Sequence, residues 1–101
     1  MKHIYDKISQ ECSKNTTQTY STSFSLGIKA LNKELHQPIY NIYGFVRLAD
    51  EIVDTFHDYN KFELLCRFKQ DTINAIEEKI SLNPILNSFQ ETVNRYQIDW
   101  S

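Results

Sequence analysis

Helix-breaking residues are scarce in this chain, and their scarcity limits the fold more than any other feature. Only two glycines and two prolines occur in 101 residues. No stretch of alternating apolar and polar residues is long enough, between turn residues, to suggest a strand. Apolar residues instead recur every three or four positions, as on one face of a helix. The sequence therefore predicts an all-α fold.

Five helices are predicted, running over about residues 2–15, 23–31, 33–56, 62–80 and 85–96. The serines and threonines between Ser13 and Ser25 can bond to their own backbone, which predicts a turn or cap there. Pro38 lacks an amide, so it is expected in the first turn of the third helix or at a kink. The predicted core residues are Ile4, Tyr5, Ile8, Cys12, Ile42, Phe45, Val46, Ala49, Ile52, Val53, Phe56, Phe62, Leu65, Ile73, Ile76, Ile80, Ile85, Leu86, Phe89, Val93 and Tyr96.

Charge and composition argue against several classes of protein. The net charge is −2 and no long run of Lys or Arg occurs, so nucleic acid is not expected as a partner. No signal peptide and no apolar run of membrane-spanning length is present, which predicts a cytoplasmic protein. Cys12 and Cys66 are too few for a disulfide framework. His3, His36 and His57 match no zinc or di-iron spacing.

The third predicted helix carries a polar stripe formed by Tyr43, Arg47, Asp50 and Asp54, which fall within roughly 60° of one another. Two carboxylates one turn apart repel each other, and a divalent cation between them removes that cost. Magnesium suits such a pair, and an arginine fork suits a diphosphate oxygen. The Tyr43 ring could stabilise a cation. The alternative is a solvated face on which Arg47 pairs with Asp50 or Glu51.

Two segments carry a family resemblance. The segment from Tyr43 to Asp54, YGFVRLADEIVD, resembles the tyrosine, arginine and DxxxD helix of squalene and phytoene synthases. The segment from Ser21 to Ser25, STSFS, is similar to their serine-rich SxSF segment and precedes the helix at the expected distance. The resemblance extends over nearly the whole chain. It implies an all-α prenyltransferase bundle, of which the N-terminal helices are present.

The resemblance also implies roles for seven residues. These roles are magnesium binding by Asp50 and Asp54, diphosphate contacts by Arg47, Ser21 and Ser23, and flanking of the carbocation by Phe24 and Tyr43. Taken alone, the serines would be helix caps and the aromatic residues core residues. Thr22 departs from the family, which often has a basic residue between the serines, and Glu51 stands where aspartate is common.

The reaction implied is Mg²⁺-dependent head-to-head condensation of two prenyl diphosphates, geranylgeranyl or farnesyl diphosphate, through a cyclopropylcarbinyl diphosphate. Mn²⁺ is an alternative metal. The sequence of the segment from Gly44 to Arg47, GFVR, looks closer to that of bacterial carotenoid enzymes than to that of squalene synthases. The resemblance therefore favours a phytoene synthase-like enzyme of carotenoid biosynthesis. Squalene or dehydrosqualene synthase is the alternative, and NADPH is required only for the squalene type. Peripheral association with a membrane is compatible with such an apolar product.

A second aspartate-rich motif, which family enzymes need, is missing. The remaining aspartates, Asp6, Asp58, Asp71 and Asp99, form no DxxxD pair. Residues 1–101 are therefore expected to be the N-terminal part of one domain, inactive alone, with exposed apolar surface and a tendency to self-associate. Two other hypotheses remain open: a non-catalytic family member acting as an interaction or assembly factor, and a plain helical binding module.

Overall fold

The computed structural model describes residues 1–99, and within them the chain forms five helices and no strand, so the all-α prediction is confirmed. The helices are α1 (Lys2–Tyr20), α2 (Thr22–Lys29), α3 (Lys33–Asp54), α4 (Lys61–Glu78) and α5 (Pro84–Tyr96). The bounds of the last three agree with the sequence prediction to within two residues. In the described part of the chain, no helix combines the length and apolar character needed to cross a membrane.

Side-chain caps and left-handed residues fix the helix ends. Ser21, Asn60 and Asn83 each accept a hydrogen bond from a backbone amide in the first turn of the helix that follows. Lys79 and Gln97 adopt left-handed backbone conformations just after α4 and α5. Local sequence therefore explains where α2, α4 and α5 begin and where α4 and α5 end.

Helix α1 continues to Tyr20, five residues beyond its predicted end. The hydroxyls of Thr16 and Thr17 donate to backbone carbonyls one turn earlier, at 2.8 and 2.9 Å, so they bond along the helix. The predicted break occurs only at Ser21, whose backbone is extended. The prediction that the helix ends near Asn15 was wrong.

The buried face of α1 consists of small polar residues, namely Ser9, Ser13 and Thr17. Ile4 and Ile8, predicted to lie in the core, are about half exposed. Short side chains let α1 approach α3 closely: a Cβ added at Gly44 would lie 3.2 Å from Ser13. The core face of α1 was therefore predicted wrongly, because close approach of the backbones decided which residues are buried.

Helix α3 packs against all four other helices. Its buried residues are Tyr40, Asn41, Gly44 and Ile52. The predicted core residues Ile42, Val46 and Val53 are exposed, which corrects that prediction. Pro38 lies in the second turn of α3 and not in the first. One helix thus has a buried face of mixed character and an apolar face turned to solvent.

Aromatic rings join α3 to the two C-terminal helices. The Phe45 ring stacks on Phe89 with a centroid distance of 3.8 Å and on Phe68 with a distance of 5.3 Å. On α5, Leu86 is buried as predicted. On α4, Phe62 is 78% exposed, contrary to prediction. The apolar pattern of α4 therefore marks a face that is only partly covered.

Asn87 joins α5 to α1 through a polar network. Its Nδ2 donates to Asp6 Oδ1 at 2.9 Å and to Ser9 Oγ at 3.1 Å. Its Oδ1 accepts from Gln90 Nε2 and from the backbone amide of Ser81. All hydrogen-bonding atoms of this amide therefore have partners, which fixes α5 against α1.

Candidate active site

The four residues of the polar stripe lie on a single unbroken helix. Tyr43, Arg47, Asp50 and Asp54 are all in α3, and their spacing of four, three and four residues places them on one side. Tyr43 and Arg47 are partly buried, whereas Asp50 and Asp54 are exposed. The predicted placement on one helix is confirmed.

The junction of α1 and α2 brings the serine-rich segment against this stripe. The Phe24 ring stacks on the Tyr43 ring, with centroids 4.9 Å apart and planes inclined by 28°. The Tyr20 ring lies against the guanidinium of Arg47, with Cζ 4.8 Å from its centroid. The extended backbone of Ser21 separates Tyr20 from α2 and so allows both contacts. Two motifs that are about twenty residues apart in sequence therefore meet in space.

The two serines of the motif differ. Ser21 Oγ accepts a hydrogen bond from the backbone amide of Phe24 at 3.2 Å and so caps α2. A helix cap is the role expected for Ser21 when the family resemblance is left aside. A hydroxyl that accepts one bond keeps its proton free for donation. Ser23 is exposed, and its side chain makes no hydrogen bond within residues 1–99. Ser21 thus adjoins the stripe through its neighbours, while Ser23 is not brought into contact with it.

Arg47 is paired and partly enclosed. Its Nη2 donates to Glu51 Oε1 at 2.5 Å, and the two side chains are 24% and 14% exposed. Burial lowers the pKa of the guanidinium, but the hydrogen bond and charge of Glu51, with smaller effects of Asp50 and Tyr43, outweigh it and raise the pKa. Arg47 Nε is buried and has no acceptor within the described residues. The side chain is therefore a fixed cation.

A second arginine–glutamate pair provides a comparison. Arg67 and Glu63 have the same spacing of four residues and lie 3.0 Å apart, but their side chains are 61% and 62% exposed. The alternative of a solvated face correctly predicted that Arg47 pairs with Glu51. It does not explain why the Arg47 pair is much less exposed than the Arg67 pair and lies under an aromatic ring.

The carboxylates of the stripe fit the protein part of a magnesium site. Asp50 and Asp54 offer hard oxygen ligands on successive turns, and magnesium commonly takes one or two carboxylates with waters and phosphate oxygens. Among residues 1–99, no group of three or more His, Cys, Asp and Glu side chains could hold a metal ion. A metal ion at this pair would need further ligands, such as waters or phosphate oxygens, from outside the described residues.

An outer apolar stripe lies beside the polar stripe. It consists of Leu35, Ile42, Val46 and Val53, which are between 37% and 49% exposed. Their spacing of seven, four and seven residues places them roughly 90° around α3 from the polar stripe. The exposed apolar surface expected from the sequence is thus present. An anionic group and an apolar chain could be bound side by side along this helix.

Sequence reasoning missed two residues of this arrangement, Tyr20 and Glu51. Tyr20 directly precedes the serine-rich segment, but no periodic pattern links it to Arg47. Glu51 was noted as a partner of Arg47 and as a departure from the family, but not as part of the site. The position of Tyr20 next to the motif was the only available signal.

Comparison with known proteins identifies a family for most of the chain. The family model described as squalene/phytoene synthase matches residues 17–100. The matched range includes both motifs and the helices from α2 to α5. Neither a curated protein nor a solved structure matches the chain.

Proposed function

Because the chain belongs to the squalene/phytoene synthase family, we propose that it is the N-terminal part of an enzyme that joins two prenyl diphosphates head to head. The family consists of prenyltransferase-type enzymes. The observation that carries the proposal is the meeting of the two motifs, in which Tyr20 and Phe24 contact Arg47 and Tyr43. This contact brings aromatic rings to Arg47 on the side of α3 that also carries Asp50 and Asp54.

The diphosphate would bind to donors at the start of the stripe. Arg47 remains charged, and Glu51 occupies only one of its N–H groups, so the exposed end of the guanidinium can donate to phosphate oxygens. Ser21 can donate its hydroxyl proton while it caps α2. Ser23, exposed on the same short helix, would add a second hydroxyl when the substrate is present.

Asp50 and Asp54 would hold Mg²⁺, or Mn²⁺, at the next turns of the stripe. Bound there, the ion would offset the negative charge that develops on the diphosphate as its carbon–oxygen bond breaks. The two aspartates extend from a helix that packs on four others, so the positions of their backbones are fixed. We propose that a second aspartate-rich helix, outside residues 1–99, supplies the remaining carboxylates.

The apolar part of the substrate would lie along the outer apolar stripe. The stacked rings of Phe24 and Tyr43 stand next to the polar stripe and offer π faces to an allylic cation. Apolar side chains there would exclude water, which would otherwise capture the cation. The residues of α3 would thus separate the charged head from the reacting carbon chain.

The product we favour is phytoene, formed from two molecules of geranylgeranyl diphosphate through a cyclopropylcarbinyl diphosphate. Squalene or dehydrosqualene, formed from farnesyl diphosphate, is the alternative, with NADPH required only for squalene. A non-catalytic role in assembly is a second candidate, because the outer apolar stripe could equally be covered by another protein.

The test is turnover by the full-length protein that carries this segment. Labelled geranylgeranyl or farnesyl diphosphate is incubated with and without Mg²⁺, and the hydrocarbons are extracted and identified. We expect a C40 or C30 product from the wild type and none from Asp50→Asn or Asp54→Asn. Asp71→Asn, an exposed aspartate on α4, is the matched control and should be active. Unchanged turnover in both stripe variants, or no turnover in the wild type, would exclude the proposed reaction.

A further inference from the structure

Arg47 is held on two sides by residues to which no role has yet been given. An arginine side chain is flexible, so restricting its rotamers before a phosphate group binds lowers the entropy cost of recognition. The Tyr20 ring lies 4.8 Å from Cζ, and Glu51 accepts a hydrogen bond from Nη2. The ring contacts the central carbon of the guanidinium and the carboxylate contacts Nη2, so two different parts of the fork are held.

The burial of Nε shows which part of the guanidinium is enclosed by the protein. Nε has no measurable contact with solvent and no acceptor within the described residues, although the side chain as a whole is 24% exposed. Of the Arg47 nitrogens, only Nε is both buried and without a partner, so solvent reaches the Nη1 end of the fork. Glu51 engages only Nη2, so the other N–H groups at this end remain available for an anion.

Helix position explains why these two residues can act together. Glu51 lies one turn after Arg47 on α3, where side chains four residues apart meet. Tyr20 is the last residue of α1, and the close packing of Ser13 against Gly44 fixes the distance between α1 and α3. The ring comes from one helix and the carboxylate from another, so the orientation of Arg47 depends on how the two helices pack.

We propose that Tyr20 and Glu51 are positioning residues that orient the Arg47 guanidinium for a diphosphate group. This inference rests on the proposed function and adds to it the residues that prepare the site before the substrate binds. Tyr20 acts through its ring and not through its hydroxyl. Glu51 acts through its hydrogen-bond acceptor, and its charge is not required.

The chain allows a direct test, because it has only three arginines and therefore three Nε–H groups to observe by NMR. The signal of Arg47 is assigned from its loss in Arg47→Lys. Hydrogen exchange of the three signals with water is measured, and inorganic pyrophosphate with Mg²⁺ is then titrated in. Arg67, in the exposed pair with Glu63, is the internal control.

For the wild type, we expect the Arg47 Nε–H to exchange more slowly than that of Arg67 and to shift on addition of pyrophosphate. Tyr20→Leu and Glu51→Ala should speed the exchange and weaken binding, by about two- to five-fold for loss of the ring contact. Tyr20→Phe and Glu51→Gln should keep the slow exchange of Arg47 Nε–H and the affinity for pyrophosphate, because the ring and an acceptor oxygen remain.

The outcomes separate this inference from the proposed function. If Tyr20→Leu and Glu51→Ala bind pyrophosphate as the wild type does, the positioning role is excluded while the function stands. If the wild-type Arg47 signal does not respond to pyrophosphate, both are contradicted. If Tyr20→Phe behaves like Tyr20→Leu, the hydroxyl is required and the role of the ring is refuted. If the truncating variants do not fold, the wild type still tests the inference: an Arg47 Nε–H that exchanges as fast as that of Arg67 would show that Arg47 is not held, and would refute it.

Discussion

Replacing Gly44 by alanine tests how closely α1 packs against the helix that carries the site. The new Cβ would lie 3.2 Å from Cα, Cβ and Oγ of Ser13, closer than the separation of about 3.5–4.0 Å that carbon atoms prefer. Ser13 Cα and Cβ cannot rotate away, so the helices must move apart. Such overpacking costs about 1–3 kcal/mol. The higher helix propensity of alanine returns about 1 kcal/mol.

The expected net effect of Gly44→Ala is destabilisation by about 1 kcal/mol, which lowers Tm by about 4–8 °C in a domain of this size. Gly27 is the matched control, because a Cβ there would meet no atom within 4 Å. Gly27→Ala should raise the free energy of unfolding by up to about 1 kcal/mol. Thermal unfolding followed by circular dichroism measures both variants. If Gly44→Ala raised Tm as Gly27→Ala does, the close packing of α1 on α3 would be refuted.

Two further predictions concern stability. Burial raises the pKa of Asp6, but hydrogen bonds from Lys2 and Asn87 outweigh it and hold the pKa below its usual range. The resulting stabilisation is therefore present above about pH 4 and is lost as the pH falls through the lower pKa of the folded state. In Asp6→Asn, the free energy of unfolding measured with urea should therefore fall less steeply as the pH is lowered. An unchanged pH dependence would exclude Asp6 as its source. Asn83→Ala should cost about 1 kcal/mol, because Asn83 accepts from two amides at the start of α5. Asn60→Ala, which removes a single bond at an exposed cap, should cost less, and the reverse order would contradict this ranking.

Helix bounds were predictable wherever local chemistry determines them. Asn60 and Asn83, a residue type that favours helix starts, directly precede α4 and α5 and cap them in the structure. The end of α1 was not predictable in this way. A threonine hydroxyl can donate to the carbonyl one turn earlier and leave the helix intact, or it can bond to its own backbone and favour a turn. Thr17 is buried between helices, and its hydroxyl donates to the carbonyl of Ser13, so the helix continues.

The faces of the helices were less predictable than their bounds. Apolar periodicity indicates that Ile42, Val46 and Val53 share a face, but not that this face is left open. Ser13 and Gly44 have no apolar signal, yet their small size permits the closest approach between α1 and α3. Packing between backbones, and not hydrophobicity alone, therefore selected the core of this chain.

The candidate site was predicted in part. The spacing from Tyr43 to Asp54 predicts one polar side of a helix, because spacings of three and four are fixed by helix geometry. The contact between Phe24 and Tyr43 could only be inferred from the family resemblance. The contact of Tyr20 with Arg47 depends on where α1 ends, which the sequence did not reveal.

The central claim is that Asp50 and Asp54 bind a metal ion together with a diphosphate. The most direct measurement is calorimetric titration of the chain with inorganic pyrophosphate, with and without Mg²⁺. We predict that Mg²⁺ strengthens binding to the wild type and to the control Asp71→Asn, and that Asp50→Asn and Asp54→Asn each abolish this strengthening. Neither stripe variant should lose stability, since the repulsion removed is worth a few tenths of a kcal/mol, roughly. Mg²⁺-dependent binding that is equal in the wild type and in both stripe variants would contradict the claim.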